Sequence, residues 1–519
     1  MTVRHYLAGA LLALGIAPQA VAATKAVIPN ESQRAAAVAK AEAAIAGIDQ
    51  ERLLADRDYA GEMLAHVETL RTVRTEPDAL FALDTLRLVA LLGAVRNADA
   101  AELGVKLIAQ RPSEPMVYPL ALWAAVLAGK SDAAVPMLES AARHVTRPEP
   151  LEEVRSALDQ DLLDGIIRPL AQARNDRATQ RLAEALLIIG SPVFDNAVEA
   201  DRYRVLAIDG RLAAGDVAGA RALADRVIET GATLRLIGAH RYDPLFAGDA
   251  DRLARLDRAT AAYDADTKKR AEMKADDLGA RLFRGQFLRG VGKEQEALAV
   301  LLPATRDMAA VEAGGEMAFW IVNEAAYALT SLGRNAEAIA LMERLIALDM
   351  KKHPYLISMA INHGELLNSA GRHREAAAYE TMLMKKGDGF DSPYGRMWMW
   401  SAAACGHALA GHPAAAAPWL EKLEKRSSDN EAAHMRALLC ANQLDRAEQL
   451  MLTRLGGRHA AELLLRMHDY QLGSFKSPAR RLLQERGLAV ARRSAVRAAA
   501  AKVGRTLSLP LSKVFWGDY

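Results

Sequence analysis

The sequence predicts an all-α protein built as an α-solenoid of antiparallel helix pairs. Three observations carry that expectation. Helical periodicity runs from Ser32 onward, while strand-like alternation is hard to find and Val and Ile are scattered rather than clustered. Ala and Leu are abundant and aromatic residues make up only 5%, a combination that favours close helix packing. A triple of small residues also recurs at a period of roughly 40 residues, inside the range of helical arrays.

The chain opens on features of a secretory signal spanning 1–22. Arg4 and His5 give a short basic start, an apolar run extends from Tyr6 to Ala17, and Pro18 breaks it. Ala20-Val21-Ala22 then supplies the small-x-small pattern that a signal peptidase accepts, so the mature chain is expected to start near Ala23. The apolar run is far shorter than the roughly 20 residues a membrane-spanning helix needs. No Cys follows it closely, so a lipid-anchored variant lacks its acceptor. The expected location is therefore periplasmic or secreted. Apolar residues (51%) and charged residues (25%) are in globular proportion, and a net charge of +2 provides no global field for nucleic acid.

Residues 23–248 read as an N-terminal helical array. Ala128-Gly129-Lys130-Ser131-Asp132-Ala133-Ala134 has the form of an interhelix turn, with Tyr118 and Trp123 in the preceding helix. Gly215-Asp216-Val217-Ala218-Gly219-Ala220 repeats it. No clean turn follows until Gly292. That gap holds Arg241-Tyr242-Asp243-Pro244-Leu245-Phe246 and a charge-rich stretch, 249–277, expected to be a solvated helical junction.

The pattern is strongest over 278–473. Gly285, Gly292 and Ala297 form one set, and Ala326, Gly333 and Ala338 the next. Gly364, Gly371 and Ala376 make a third, and Ala404, Gly411 and Ala416 a fourth. Within each set the spacing is seven, then five. The first small residue lies mid-helix and admits a second helix closely. The middle glycine ends the first helix, because a residue without Cβ enters the left-handed region freely. The final alanine lies inside the second helix, where a larger side chain would push the pair apart. Asn442 and Ala447 continue the array at a shorter interval.

In this order of small residue, turn glycine and alanine, best seen from Tyr327 through Gly333 to Ala338, the chain resembles the tetratricopeptide repeats. The family period is 34, and the repeats here are longer. The resemblance implies a right-handed α-solenoid whose first helices line a concave groove. Counted from the small mid-helix residue, the groove candidates are Gln286, Arg289, Asn323, Tyr327, Ser331, Glu365, Asn368, Trp398 and Ser401. Such a mixed lining suits an extended peptide, amide groups bonding its backbone and Tyr327 or Trp398 packing on its side chains. The family's peptide-clamp set of lysines and asparagines does not line up.

From 474 to 519 the pattern breaks. Ten Lys and Arg, from Lys476 to Lys513, face only Glu485 and Asp518. A helix is expected from Ala489 to Val503, stopped by Ser508-Leu509-Pro510, with Phe515, Trp516 and Tyr519 beyond. Solenoids need a terminal helix with a polar outer face, and a basic tail can also touch anionic lipid.

No P-loop, dinucleotide fingerprint, HExxH or GxSxG pattern is present, and no cofactor or metal is implied. Cys405, His407, His412, His434 and Cys440 fall in adjacent repeats, but Cys405 and His407 point in different directions on a helix. Cys405 and Cys440, about one repeat apart, are expected to be separate buried thiols, since a disulfide needs Cα atoms within about 7 Å. Glu139-Ser140 resembles the Glu-Ser pair that carries the catalytic glutamate of soluble lytic transglycosylases, without the Gly-Leu-Met-Gln-like sequence that should follow. The expected function is an exported scaffold or adaptor for a protein or peptide partner in the cell envelope. Two alternatives stay open: a helical-scaffold enzyme acting on cell-wall glycan, and a membrane-surface protein using the basic tail.

Overall fold

The computed structural model describes residues 31–190, 194, 196–274, 276–386, 392–457, 460–471 and 477–512. The signal-like segment 1–22 and the aromatic end from Phe515 to Tyr519 lie outside them. The chain divides into two compact units at Val227/Ile228. The first unit runs through α1 (Glu31–Ala46), α2 (Gln50–Ala55), α3 (Arg57–Arg71), α4 (Pro77–Gly93), α5 (Asn97–Gln110) and α6 (Val117–Leu127). It continues with α7 (Ser131–His144), α8 (Pro148–Ala157), α9 (Gln160–Gln172), α10 (Asp176–Ile189), α11 (Ala197–Ala213) and α12 (Val217–Ala224). Its core is a continuous Ala- and Leu-rich seam in which Leu88, Leu107, Leu122 and Leu138 are fully enclosed.

The second unit begins with α13 (Thr230–Gly238), a 3-10 turn His240–Leu245, and α14 (Asp249–Met273). The array follows as α15 (Leu278–Gly290), α16 (Glu294–Leu301), α17 (Met308–Ser331), α18 (Asn335–Ile346), α19 (Leu356–Ser369) and α20 (His373–Lys386). It ends with α21 (Pro393–Leu409), α22 (Pro413–Lys425), α23 (Glu431–Cys440), α24 (Leu444–Leu455) and α25 (Ala460–Arg466). Beyond it lie β1 (Asp469–Gln471), α26 (Pro478–Ala491), α27 (Ser494–Val503) and β2 (Ser508–Ser512). Among the described residues no helix is long and apolar enough to cross a membrane.

Gly292, Gly333, Gly371 and Gly411 lie between helices, each at positive φ (77°, 78°, 79° and 81°). At each turn the next residue's N–H reaches back five residues, as from Lys293 to Leu288 O (2.8 Å) and from Arg334 to Leu329 O (2.9 Å). This is the Schellman closure of a helix. The flanking small residues behave as their spacing requires: Ala297, Ala326, Ala338, Ala376, Ala404 and Ala416 are all 0% exposed. A Cβ added to Gly285 would sit 2.5 Å from Leu301 Cδ2, so a glycine there sets how closely α15 and α16 meet.

The same closure appears where no glycine marks it. Val95, Arg174 and Asn442 have φ of 59°, 54° and 56°, and Arg96, Asn175 and Gln443 make the matching bonds to Leu91, Leu170 and Leu438. The pairs α4–α5 and α9–α10 are thus full members of the N-terminal array.

Three expectations need correction. Cys405 and Cys440 form a disulfide rather than two thiols, with Cα atoms 5.0 Å apart. The faces of α21 and α23 that meet there are largely alanine (Ala402, Ala404, Ala433 and Ala437 are all 0% exposed), so neighbouring repeats come within bridging distance. Ser508–Ser512 forms a strand, paired in parallel with Asp469–Gln471, rather than a simple stop. Pro510, which has no N–H to donate, falls in the irregularity between the pairs Tyr470–Leu509 and Gln471–Ser512. The charged stretch 249–277 carries a buried stripe along α14: Arg252, Leu256, Ala259, Tyr263 and Thr267 are at most 4% exposed. Tyr263 meets the edge of Phe287 at 5.3 Å, which joins α14 to α15 inside the C-terminal unit.

A β-branched residue in the left-handed region costs about 1–2 kcal/mol, and the Val95 side chain recovers little of it because the residue is 62% exposed. Val95→Gly is therefore expected to stabilise the full chain by about 0.5–1.5 kcal/mol in urea unfolding, the gain reduced by glycine's larger unfolded-state entropy. A lowered midpoint would contradict this account of the turn.

Candidate functional site

The first helices α15, α17, α19 and α21 carry the residues expected to line a groove. The structure buries six of these nine residues, Arg289, Asn323, Ser331, Glu365, Asn368 and Ser401. Arg289 (6% exposed) pairs with Glu324 of the next first helix, its guanidinium 5.2 Å from the Tyr327 ring centre. Asn323 (1%) accepts a bond from Asn362 Nδ2 at 3.0 Å, linking α17 to α19. Glu365 pairs with Arg436 on α23, and Asn368 Nδ2 donates to Ala402 O on α21 at 2.9 Å. Ser331 bonds its own helix at Tyr327 O, and Ser401 is fully enclosed. Gln286, Tyr327 and Trp398 stay half-buried. These side chains therefore tie successive repeats together, and only three keep contact with solvent.

A segment of the same unit crosses this face. Ser477 caps α26, with Pro478 at the first helical position, and its Oγ donates to Ser369 O at the end of α19 (2.5 Å). Arg480 (4% exposed) bonds Ser369 Oγ through Nε at 3.1 Å and lies 5.9 Å from the centre of the Tyr327 ring, which Arg289 also approaches. Arg486 donates to the last carbonyls of α23, Leu439 O (2.7 Å) and Cys440 O (2.8 Å). So α26 reaches α17, α19 and α23 in turn, placing cations on an aromatic face and on helix C-termini, where positive charge is favoured.

The segment then closes onto the start of the unit. Ala239 and Gly504 form an isolated bridge, Arg505 N donates to Gly238 O (2.9 Å), and Leu507 N donates to His468 Nδ1 (3.1 Å). Asp243 collects Arg505 (2.7 and 3.1 Å), Arg252 (2.7 Å) and His240 (2.9 Å). The Arg505 hydrogen bonds hold its carboxyl well below the usual range. The sequence marks the basic tail as a cap but does not reveal Ser477 and Arg480 on the first-helix face or Arg505 at the closure. The available signal was Ser477-Pro478, a helix start placed directly after the array.

Behind the face sits a titratable core. Glu380 on α20 is 0% exposed, and neither carboxyl oxygen has a hydrogen-bond partner among the described residues. It fits because residue 364 is glycine, where a Cβ would collide with Glu380 Oε1. Burial, reinforced by the nearby Glu365 carboxylate, pushes its pKa well up. Burial also brings His363, His434 and His468 down to about 4.

The enzyme and metal constellations are accounted for differently. Glu139 is held by Arg181 (2.6 Å to Nε), while Ser140 Oγ accepts from Tyr118 at 3.0 Å. Cys405 and Cys440 are consumed by their bridge, so neither offers a thiolate to a metal.

No protein-family model matches the chain, and no curated protein matches it in sequence. Among solved structures it is similar to the Rap protein complexed with competence and sporulation factor, at 11% identity and TM-score 0.26, covering 89% of this chain and 99% of that one. It is likewise similar to yeast Tom70, at 11% identity and TM-score 0.30, covering 91% and 99%. Overlays this loose carry no argument. The fold is tetratricopeptide-like on its own geometry: helix pairs, positive-φ turns and buried alanines at fixed spacing.

A raised carboxyl pKa means the folded state keeps a proton that the unfolded state has already lost above about pH 4.5. Stability is then present below that pH and declines as pH rises toward the folded value. Relative to Glu380→Gln, the wild-type chain is expected to lose stability as pH rises above about 4.5, with a slope of at most about 1.4 kcal/mol per pH unit. Denaturation profiles of the two proteins that run parallel over that range would exclude it.

Proposed function

We propose that the protein is an exported helical-repeat scaffold that binds a protein or peptide partner in the cell envelope. The observation that carries this reading is the seating of Ser477–Ser512 on the C-terminal unit. A surface that orders a length of polypeptide through side-chain bonds to backbone carbonyls and through cations on an aromatic ring has the chemistry to hold another. Gln286, Tyr327 and Trp398, still half-exposed on the first helices, provide the amide and aromatic contacts for such a chain.

Export is supported by the basic, apolar and small-x-small order of residues 1–22, and by the Cys405–Cys440 disulfide, which suits an oxidising compartment.

A photo-crosslinking side chain at Gln286, expressed in the full chain in a bacterial host, tests both halves. The expected result is a mature chain beginning near Ala23 in the periplasmic fraction, and one discrete adduct from position 286. The same side chain at Gln295, exposed on the second helix α16, should give none. An uncleaved cytoplasmic chain would refute export, and equal adducts from both positions would refute the first-helix face as the binding surface.

A further inference from the structure

The closure of the C-terminal segment leaves a half-open cleft of ≈ 790 Å³ inside the C-terminal unit, within the range of small-molecule sites. Its walls come from the end of α26, α27, the stretch 504–508 and residues beside β1. The charge on those walls is uneven. Arg492, Arg497 and Arg505 all line it, with His240, against one carboxylate, Asp469.

The arginines differ in what they are already doing. Arg505 is fixed by two bonds to Asp243, which holds that wall in place. Arg493 turns away to Asp445 and Glu448 (2.8 and 2.6 Å). Arg492 and Arg497 are exposed, face the cleft, and have no side-chain partner among the described residues. Both therefore present unengaged guanidinium donors to the same concave site, where an anion can accept from them. Met467, Leu488 and Leu507 add apolar wall beside them.

The geometry points to a binding site for a small amphipathic organic anion, with its carboxylate or phosphate on Arg492 and Arg497 and its apolar body against Met467, Leu488 and Leu507. The site is separate from the first-helix face and does not depend on the peptide-binding reading. It does depend on the closure through Gly504 and Arg505, because those residues form one wall.

Fluorescence titration of the full-length protein with anilinonaphthalene sulfonate at low salt tests it. The wild-type chain is expected to bind saturably, and R492Q/R497Q to bind about tenfold more weakly or worse. Asp469→Asn, which removes the opposing charge, should bind roughly twofold more tightly. Phenyl phosphate and benzoate serve as competitors, and whichever displaces the probe at lower concentration identifies the head group. Wild-type affinity in R492Q/R497Q, or displacement by neither competitor, would overturn the proposal. Should the double variant fail to fold, Asp469→Asn decides alone: tighter binding supports the site, and unchanged or weaker binding overturns it.

Discussion

The whole architecture depends on how closely two helices can approach when the residues between them are small. Gly285 against Leu301 and Gly364 against Glu380 leave no room for even one added carbon. At Gly406 the obstacle is backbone, since a Cβ there would come within 2.6 Å of the His373 carbonyl oxygen. Close approach sets the pitch of each pair, and the left-handed turn sets the reversal between its helices. Together they bring the first helices of neighbouring pairs within reach of side-chain bonds and, at Cys405–Cys440, of a covalent one.

That geometry also explains why the inner face is polar yet mostly unavailable. Arg289–Glu324 and Glu365–Arg436 are buried ion pairs, so each group would be costly alone and is tolerated only because its partner is in place, and the part-buried Asn323–Asn362 bond adds a neutral link. Such pairs add little net stability, but they penalise any slip in the stacking of one repeat on the next. The segment from Ser477 extends the same logic, with Arg480 completing the row of cations over Tyr327.

Much of the fold was legible because its cause is local. A glycine followed five residues later by alanine reports both turn and contact, and Gly292, Gly333, Gly371 and Gly411 occupy the turns this rule assigns. The rule is blind where the left-handed residue carries a side chain, which is why the turns at Val95 and Arg174 were hidden in the N-terminal half. The charged helix α14 misled because its buried positions include Arg252 and Thr267, which a hydropathy pattern counts as solvent-facing. The spacing puts Glu365 on a first helix, but its pairing with Arg436 across two repeats is a long-range fact that spacing along the chain does not encode. The strand at Ser508–Ser512 is likewise long-range, since it pairs with Asp469–Gln471.

The most direct test of the central constraint compares two neighbouring alanines on α20 by thermal unfolding. Ala376 is wholly buried at the pair interface, whereas Ala378 on the same helix is exposed. Overpacking should make Ala376→Leu less stable by about 1–3 kcal/mol or more, with Ala378→Leu within about 0.5 kcal/mol of the parent chain. Equal effects at the two positions would mean that small side chains do not govern helix approach here, and the account would fail.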